Sequence, residues 1–149
     1  MSEHSEPASA HEDNLVSVIS WKAVALGSLV ALTMSMTLGR LTASSFETNL
    51  GAQASMLFGS MFVGGLVAGK VAGRMGVIQG VAIAVIFILI GASLKAYAEI
   101  DLATQFGPQV LGPMDMGGLI LGDLVYLLGA CTGGWLADSL AYRRERAAR

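Results

Sequence analysis

Four ionisable residues, Asp123, Asp138, Lys22 and Lys95, lie within or at the edges of long apolar stretches. Hydrocarbon cannot solvate a charge, so each is a candidate for chemistry or for a specific partner. Asp123 sits six residues into the last stretch, roughly 9 Å along a helix at 1.5 Å per residue. Two roles are open to it. A carboxylate held in hydrocarbon suits a proton or cation site on a transport path. Alternatively it accepts from Lys95 or Arg40, whose long side chains can snorkel from the same interface. Asp138 is expected to meet Lys22 or Lys70 near the opposite interface, in a structural role.

Other chemistry lacks its residues. His4 and His11 both precede the first apolar stretch, so no span carries a histidine to ligate haem or a chlorophyll-type pigment. Ser60 and Ser93 have no base in their spans, which leaves a nucleophilic triad unsupported. The segment GLVAGKVAG lacks the spacing of a phosphate loop. Cys131 is the only cysteine, so neither a disulfide framework nor a cysteine metal cluster can form within the chain; it reads as a small core residue. The expectation is no enzyme, no metal and no cofactor.

The elements that position these residues follow from composition. Of 149 residues, 54% are hydrophobic and 13% charged, with a mean hydropathy of +0.63. Soluble domains carry about 25% charge, so much of this surface faces something other than water. The net charge of −2 offers no basic groove to a nucleic acid. Residues 1–14 form a polar, acidic tail, expected to be disordered, and no basic n-region of a signal peptide precedes the first apolar stretch. Apolar stretches run from about Leu15 to Leu38, Gly51 to Gly69, Met75 to Leu94 and Gly117 to Leu136. Each has about the 20 residues needed to cross a bilayer core. The expected fold is an all-α integral membrane bundle of four transmembrane helices over 15–142, followed by a basic tail at 143–149.

The connections support this reading. RLTASSFETN joins the first two spans, and Lys70 to Arg74 forms a tight turn between the second and third. The longest connector, Lys95 to Met116, contains Gly107-Pro108 and Gly112-Pro113; a short interfacial helix over about Ala96–Thr104 is expected there, because both pairs break helix. With four spans, Lys22, Lys70, Arg74, Arg143, Arg144, Arg146 and Arg149 fall on the side of both termini, and Arg40 and Lys95 on the other. The bias predicts cytoplasmic termini. Trp21, Trp135 and Tyr142 then lie near the inner interface, and Phe46, Tyr97 and Phe106 near the outer one.

Small residues recur at every fourth position. The first span has Ala23, Gly27, Ala31, Ser35 and Gly39. The second has Ser60, Gly64, Ala68 and Ala72, beside Gly65, Gly69 and Gly73. The third has Gly76, Gly80 and Ala84; the fourth has Gly118 and Gly122, then Gly129 and Gly133. Residues four apart share a helix face. Helices in lipid gain little from hydrophobicity, so close packing over such faces drives association. The stripes either build the chain's own bundle or dock a second copy or partner, with the first and fourth spans favoured for docking. The run Gly64–Arg74 also echoes Gly133–Arg143, consistent with two parallel hairpins related about the membrane normal.

Three segments, Trp21 to Gly27, Phe62 to Gly69 and Gly76 to Gly80, together with Gly133-Gly134-Trp135, resemble small bacterial four-helix, glycine-rich integral membrane proteins of unknown function. In these an FVGGxxAGxxAG helix precedes a GxxxG helix and a GGW segment. The resemblance spans about 120 residues and implies a four-helix fold without an established activity. Two function classes follow from the sequence. One is a structural or accessory subunit of a complex in the bacterial inner membrane, its partners being lipid and other subunits or a second copy. The other is a small oligomeric transporter or channel with Asp123 in the path.

Overall fold

The computed structural model describes residues 19–42, 50–73, 75–107, 109 and 116–147; the acidic segment 1–14 and the last two residues lie outside them. Four helices follow in order: α1 Trp21–Thr42, α2 Leu50–Ala72, α3 Gly76–Phe106 and α4 Met116–Ala147. Each is long and apolar enough to span a membrane, with mean hydropathies of 1.4, 1.5, 2.5 and 1.5. Without water, backbone N–H and C=O groups must be satisfied within the segment, and a helix does this. Only 22% to 33% of each apolar window is buried by neighbouring helices. The remaining faces carry side chains such as Leu89, Leu94, Ile120 and Leu121, all about 60% exposed. Such surfaces fit a lipid bilayer and not water.

The connector after the third span departs from expectation. No separate helix covers Ala96–Thr104; α3 runs unbroken from Gly76 to Phe106. Neither glycine nor proline occurs between Ala92 and Phe106 to stop it. Gln105 Nε2 also donates to Asp101 Oδ2 one turn away, at 2.9 Å. The helix ends where Gly107 adopts φ 88°. At 31 residues α3 measures roughly 46 Å, longer than a bilayer core of about 30 Å. The basic tail likewise continues α4 as far as Ala147, with the Arg146 guanidinium 4.6 Å from the Tyr142 ring centre.

Glycine doublets set the helix order. Adjacent helical residues point about 100° apart, so a doublet opens two neighbouring faces. On α2, Gly64 faces α1, where an added methyl would lie 2.7 Å from Ala31 Cβ. Gly65 faces α4, where it would strike the Ala130 carbonyl. On α4, Gly133 lies against the Phe62 carbonyl of α2, and Gly134 against the Gly76 carbonyl of α3. The doublets therefore seat α2 between α1 and α4, and α4 between α2 and α3, while α3 also packs on α2 and meets α1 where Ile83 approaches Gly27. The pairs give α1 antiparallel to α2, α2 parallel to α4, and α3 antiparallel to α4. Gly65 on Ala130 and Gly133 on Phe62 are reciprocal, since three residues separate glycine from carbonyl on both helices. The core beneath is small: Met61, Ile83, Gln79, Val24 and Ser60 are its largest fully buried side chains.

The turn between α2 and α3 is held from a distance. Gly73 adopts φ 74° and donates its N–H to the Gly69 carbonyl at 3.1 Å, closing α2 with a left-handed cap. Met75 follows at φ 56°, ψ 42° without a side-chain cap of its own. This is a costly conformation for a residue with a Cβ. The first N–H of α3 instead finds its acceptor on α4. Gly76 N–H donates to both carboxylate oxygens of Asp138, at 2.9 and 2.8 Å. A negative charge at a helix N-terminus also opposes the positive end of the helix dipole. Removing a capping acceptor costs about 1–2 kcal/mol. Asp138→Ala should lose that much in reversible unfolding in detergent micelles, and Asp138→Asn roughly half; equal stability of Asp138→Ala and the parent chain would show that the contact is incidental.

Candidate functional site

The ionisable residues come together differently from the expected ion pairs. Asp138 serves the N-terminus of α3; among the described residues it pairs with neither Lys22 nor Lys70. Lys22 is exposed and sits on α1, whose backbone among the described residues does not adjoin that of α4. The same separation keeps Arg40, also exposed, from Asp123. Lys95 fails for another reason. Gly80 of α3 lies beside Ala130 of α4, so in these antiparallel helices Lys95 is level with about residue 115, roughly 12 Å above Asp123. Asp123 is left half-buried on α4 with no cation within ion-pairing distance among the described residues.

The small residues divide into two sets by height. Gly27, Ala31, Gly64, Gly65, Ala68, Gly69, Gly76, Gly80, Gly129 and Gly133 are all buried, at crossings where most would clash with a neighbour if given a Cβ. Toward the other end the stripes face outward. Ser35 is only partly buried and Gly118 is exposed; Gly39, Gly91 and Gly122 have nothing within 4 Å of an added Cβ. The α4 contacts of the glycine seam described here run from Gly129 to Gly134, below Gly122. Residues 89–98 of α3 are exposed on every face. Among the described residues the bundle is thus closed at the end holding the α2–α3 turn and open at the other.

The small-residue stripes omitted Ala130 and Ala137, both buried on α4; Gly134, buried beside them, belongs to the doublet Gly133-Gly134, the counterpart of Gly64-Gly65. Cys131 is only partly buried. Among the described residues no three His, Cys, Asp or Glu side chains gather to hold a metal.

Besides an open groove of about 400 Å³ along α1, lined by Val30, Thr33, Met34, Thr37 and Leu38, two cavities lie between helices among the described residues. The larger, about 490 Å³, opens between α1 and α3, with Ser28, Ser35, Phe87 and Gly91 on its flanks and Met61 and Tyr126 at its back. Its wall is apolar, and the rings of Phe87 and Tyr126 meet across α3 and α4 with centres 6.4 Å apart. The second, about 230 Å³, lies between the last turns of α2 and α4 and includes Lys70 and Arg144. Asp123 lines neither cavity. Comparisons with protein-family models, curated proteins and solved structures find no match for this chain.

One polar group in the larger cavity is out of keeping with its surroundings. The hydroxyls of Thr33, Thr37, Ser60, Ser93, Thr132 and Ser139 all turn back to a carbonyl three or four residues earlier. Ser28 Oγ is buried with no hydrogen-bond partner among the described residues. A buried unsatisfied hydroxyl costs about 1 kcal/mol or more. Ser28→Ala should therefore raise stability by about 1 kcal/mol in micellar unfolding, whereas a loss of stability would mean that the hydroxyl is bonded.

Proposed function

We propose that this chain is a non-catalytic accessory subunit of a bacterial inner-membrane complex, with both termini cytoplasmic. The observation that carries this reading is the contrast between the two ends of the bundle. At the closed end the small residues are consumed by the chain's own crossings. At the open end an added Cβ at Gly91, Gly122 or Gly39 would meet nothing within 4 Å, and residues 89–98 of α3 are exposed among the described residues. In lipid such faces gain their packing from another helix. Asp123 adjoins Gly122 on this part of α4, so a cationic or hydrogen-bonding side chain of a partner helix would compensate its charge. The distribution of Lys and Arg supports cytoplasmic termini, and the reciprocal α2–α4 seam supports a two-hairpin repeat.

The transporter reading rests on the same uncompensated carboxylate. It requires a path, and Asp123 lines neither of the two cavities between helices described above.

Purification of the full chain in mild detergent tests both readings. An accessory subunit co-purifies in fixed ratio with an unlike membrane protein, and Gly122→Leu or Asp123→Asn lowers that recovery at least fivefold, about 1 kcal/mol of association, without unfolding the bundle. A chain recovered only as itself would overturn the accessory reading. If those homo-oligomers also conduct a cation into liposomes and Asp123→Asn abolishes the flux, the transporter reading takes its place.

A further inference from the structure

The smaller cavity has the chemistry of an anionic lipid site. It is a cleft of about 230 Å³ between the final turns of α2 and α4, walled by Leu66, Ala137 and Leu140, floored by Gly69 and flanked by Lys70 and Arg144. Two like charges in one small cleft repel each other unless an anion lies between them. No protein anion does so: among the described residues neither Lys70 nor Arg144 pairs with a carboxylate. Asp138, one residue past Ala137, is committed to the Gly76 N–H on α3.

Charge and depth define the occupant. Among the described residues the lining carries two cations, Lys70 and Arg144, and no carboxylate, so an anionic headgroup fits it. Trp21, Trp135 and Tyr142 cluster toward this end of the bundle and are 59%, 62% and 55% exposed. Exposed Trp and Tyr mark the headgroup level of a membrane, so the two cations sit at phosphate height. The leucines continue the cleft toward the hydrocarbon, along the direction that an acyl chain takes.

We infer that Lys70 and Arg144 hold the phosphodiester of one anionic glycerophospholipid, with its acyl chain lying along Leu66 and Leu140. The inference goes beyond the accessory reading and needs no partner subunit.

The full chain, reconstituted in vesicles of phosphatidylcholine with or without phosphatidylglycerol and released in mild detergent, provides the test by native mass spectrometry. One phosphatidylglycerol per chain should be retained from the mixed vesicles, and no phosphatidylcholine from either preparation. Lys70→Gln with Arg144→Gln should lower retention about tenfold or more, at roughly a tenfold change per 1.4 kcal/mol. Arg143→Gln with Arg146→Gln removes as much charge outside the cleft, and Arg146 already rests on Tyr142; this pair should change retention less than about twofold. Equal losses in the two double variants, or equal retention of phosphatidylcholine, would overturn the assignment. Displacement by millimolar inorganic phosphate would overturn the lipid in favour of a soluble phosphate.

Discussion

The carbonyl of Ala130 is the point on which the bundle closes. A Cβ at Gly65 of α2 or at Gly80 of α3 would strike it, so three helices meet backbone to backbone at one atom. Soluble bundles draw their cohesion from burying leucines; lipid offers no such gain, and attraction comes from many short van der Waals contacts. Those contacts require that side chains be absent along the crossing. The small core, with Met61 and Ile83 its bulkiest members, follows from the same need. The large hydrophobic residues are displaced to the periphery, where lipid receives them.

A second constraint locks the turn beside this seam. Gly73 and Met75 both take left-handed backbone, and Asp138 bonds to the first N–H of α3 across 62 residues of sequence. Packing of α3 on α4 and capping of α3 by α4 are therefore one event. Among the described residues nothing comparable holds the far end. There the α1–α3 opening remains, Asp123 lacks a cation among the described residues, and α3 stands clear of its neighbours.

Much of this fold could be read from residue type and spacing. Doublets Gly64-Gly65 and Gly133-Gly134 announce helices with two close neighbours each, which suffices to place α2 and α4 in the middle of the packing order. Four apolar runs announce four membrane-length helices. The expected partners of Asp123 and Asp138 were not legible, because they depend on which helices touch and at what height. Arg40 and Lys22 lie on α1, whose backbone among the described residues does not adjoin that of α4, and Lys95 stands too high. The cap at Gly76 was hidden because its acceptor belongs to another helix. Gly118 and Gly122 repeat the spacing of buried pairs but fall above the crossings; spacing identifies a face and not whether anything covers it.

Glycine-to-alanine exchange at matched sites tests the seam most directly, with stability read from reversible unfolding in micelles. Alanine favours a helix over glycine by about 1 kcal/mol, so Gly59→Ala and Gly122→Ala, where an added Cβ meets nothing within 4 Å, should hold or gain stability. Gly65→Ala and Gly80→Ala should instead lose about 1–3 kcal/mol through forced separation of the backbones. If all four substitutions stabilise the chain alike, the helices do not meet at Ala130 and the packing described for this bundle is wrong.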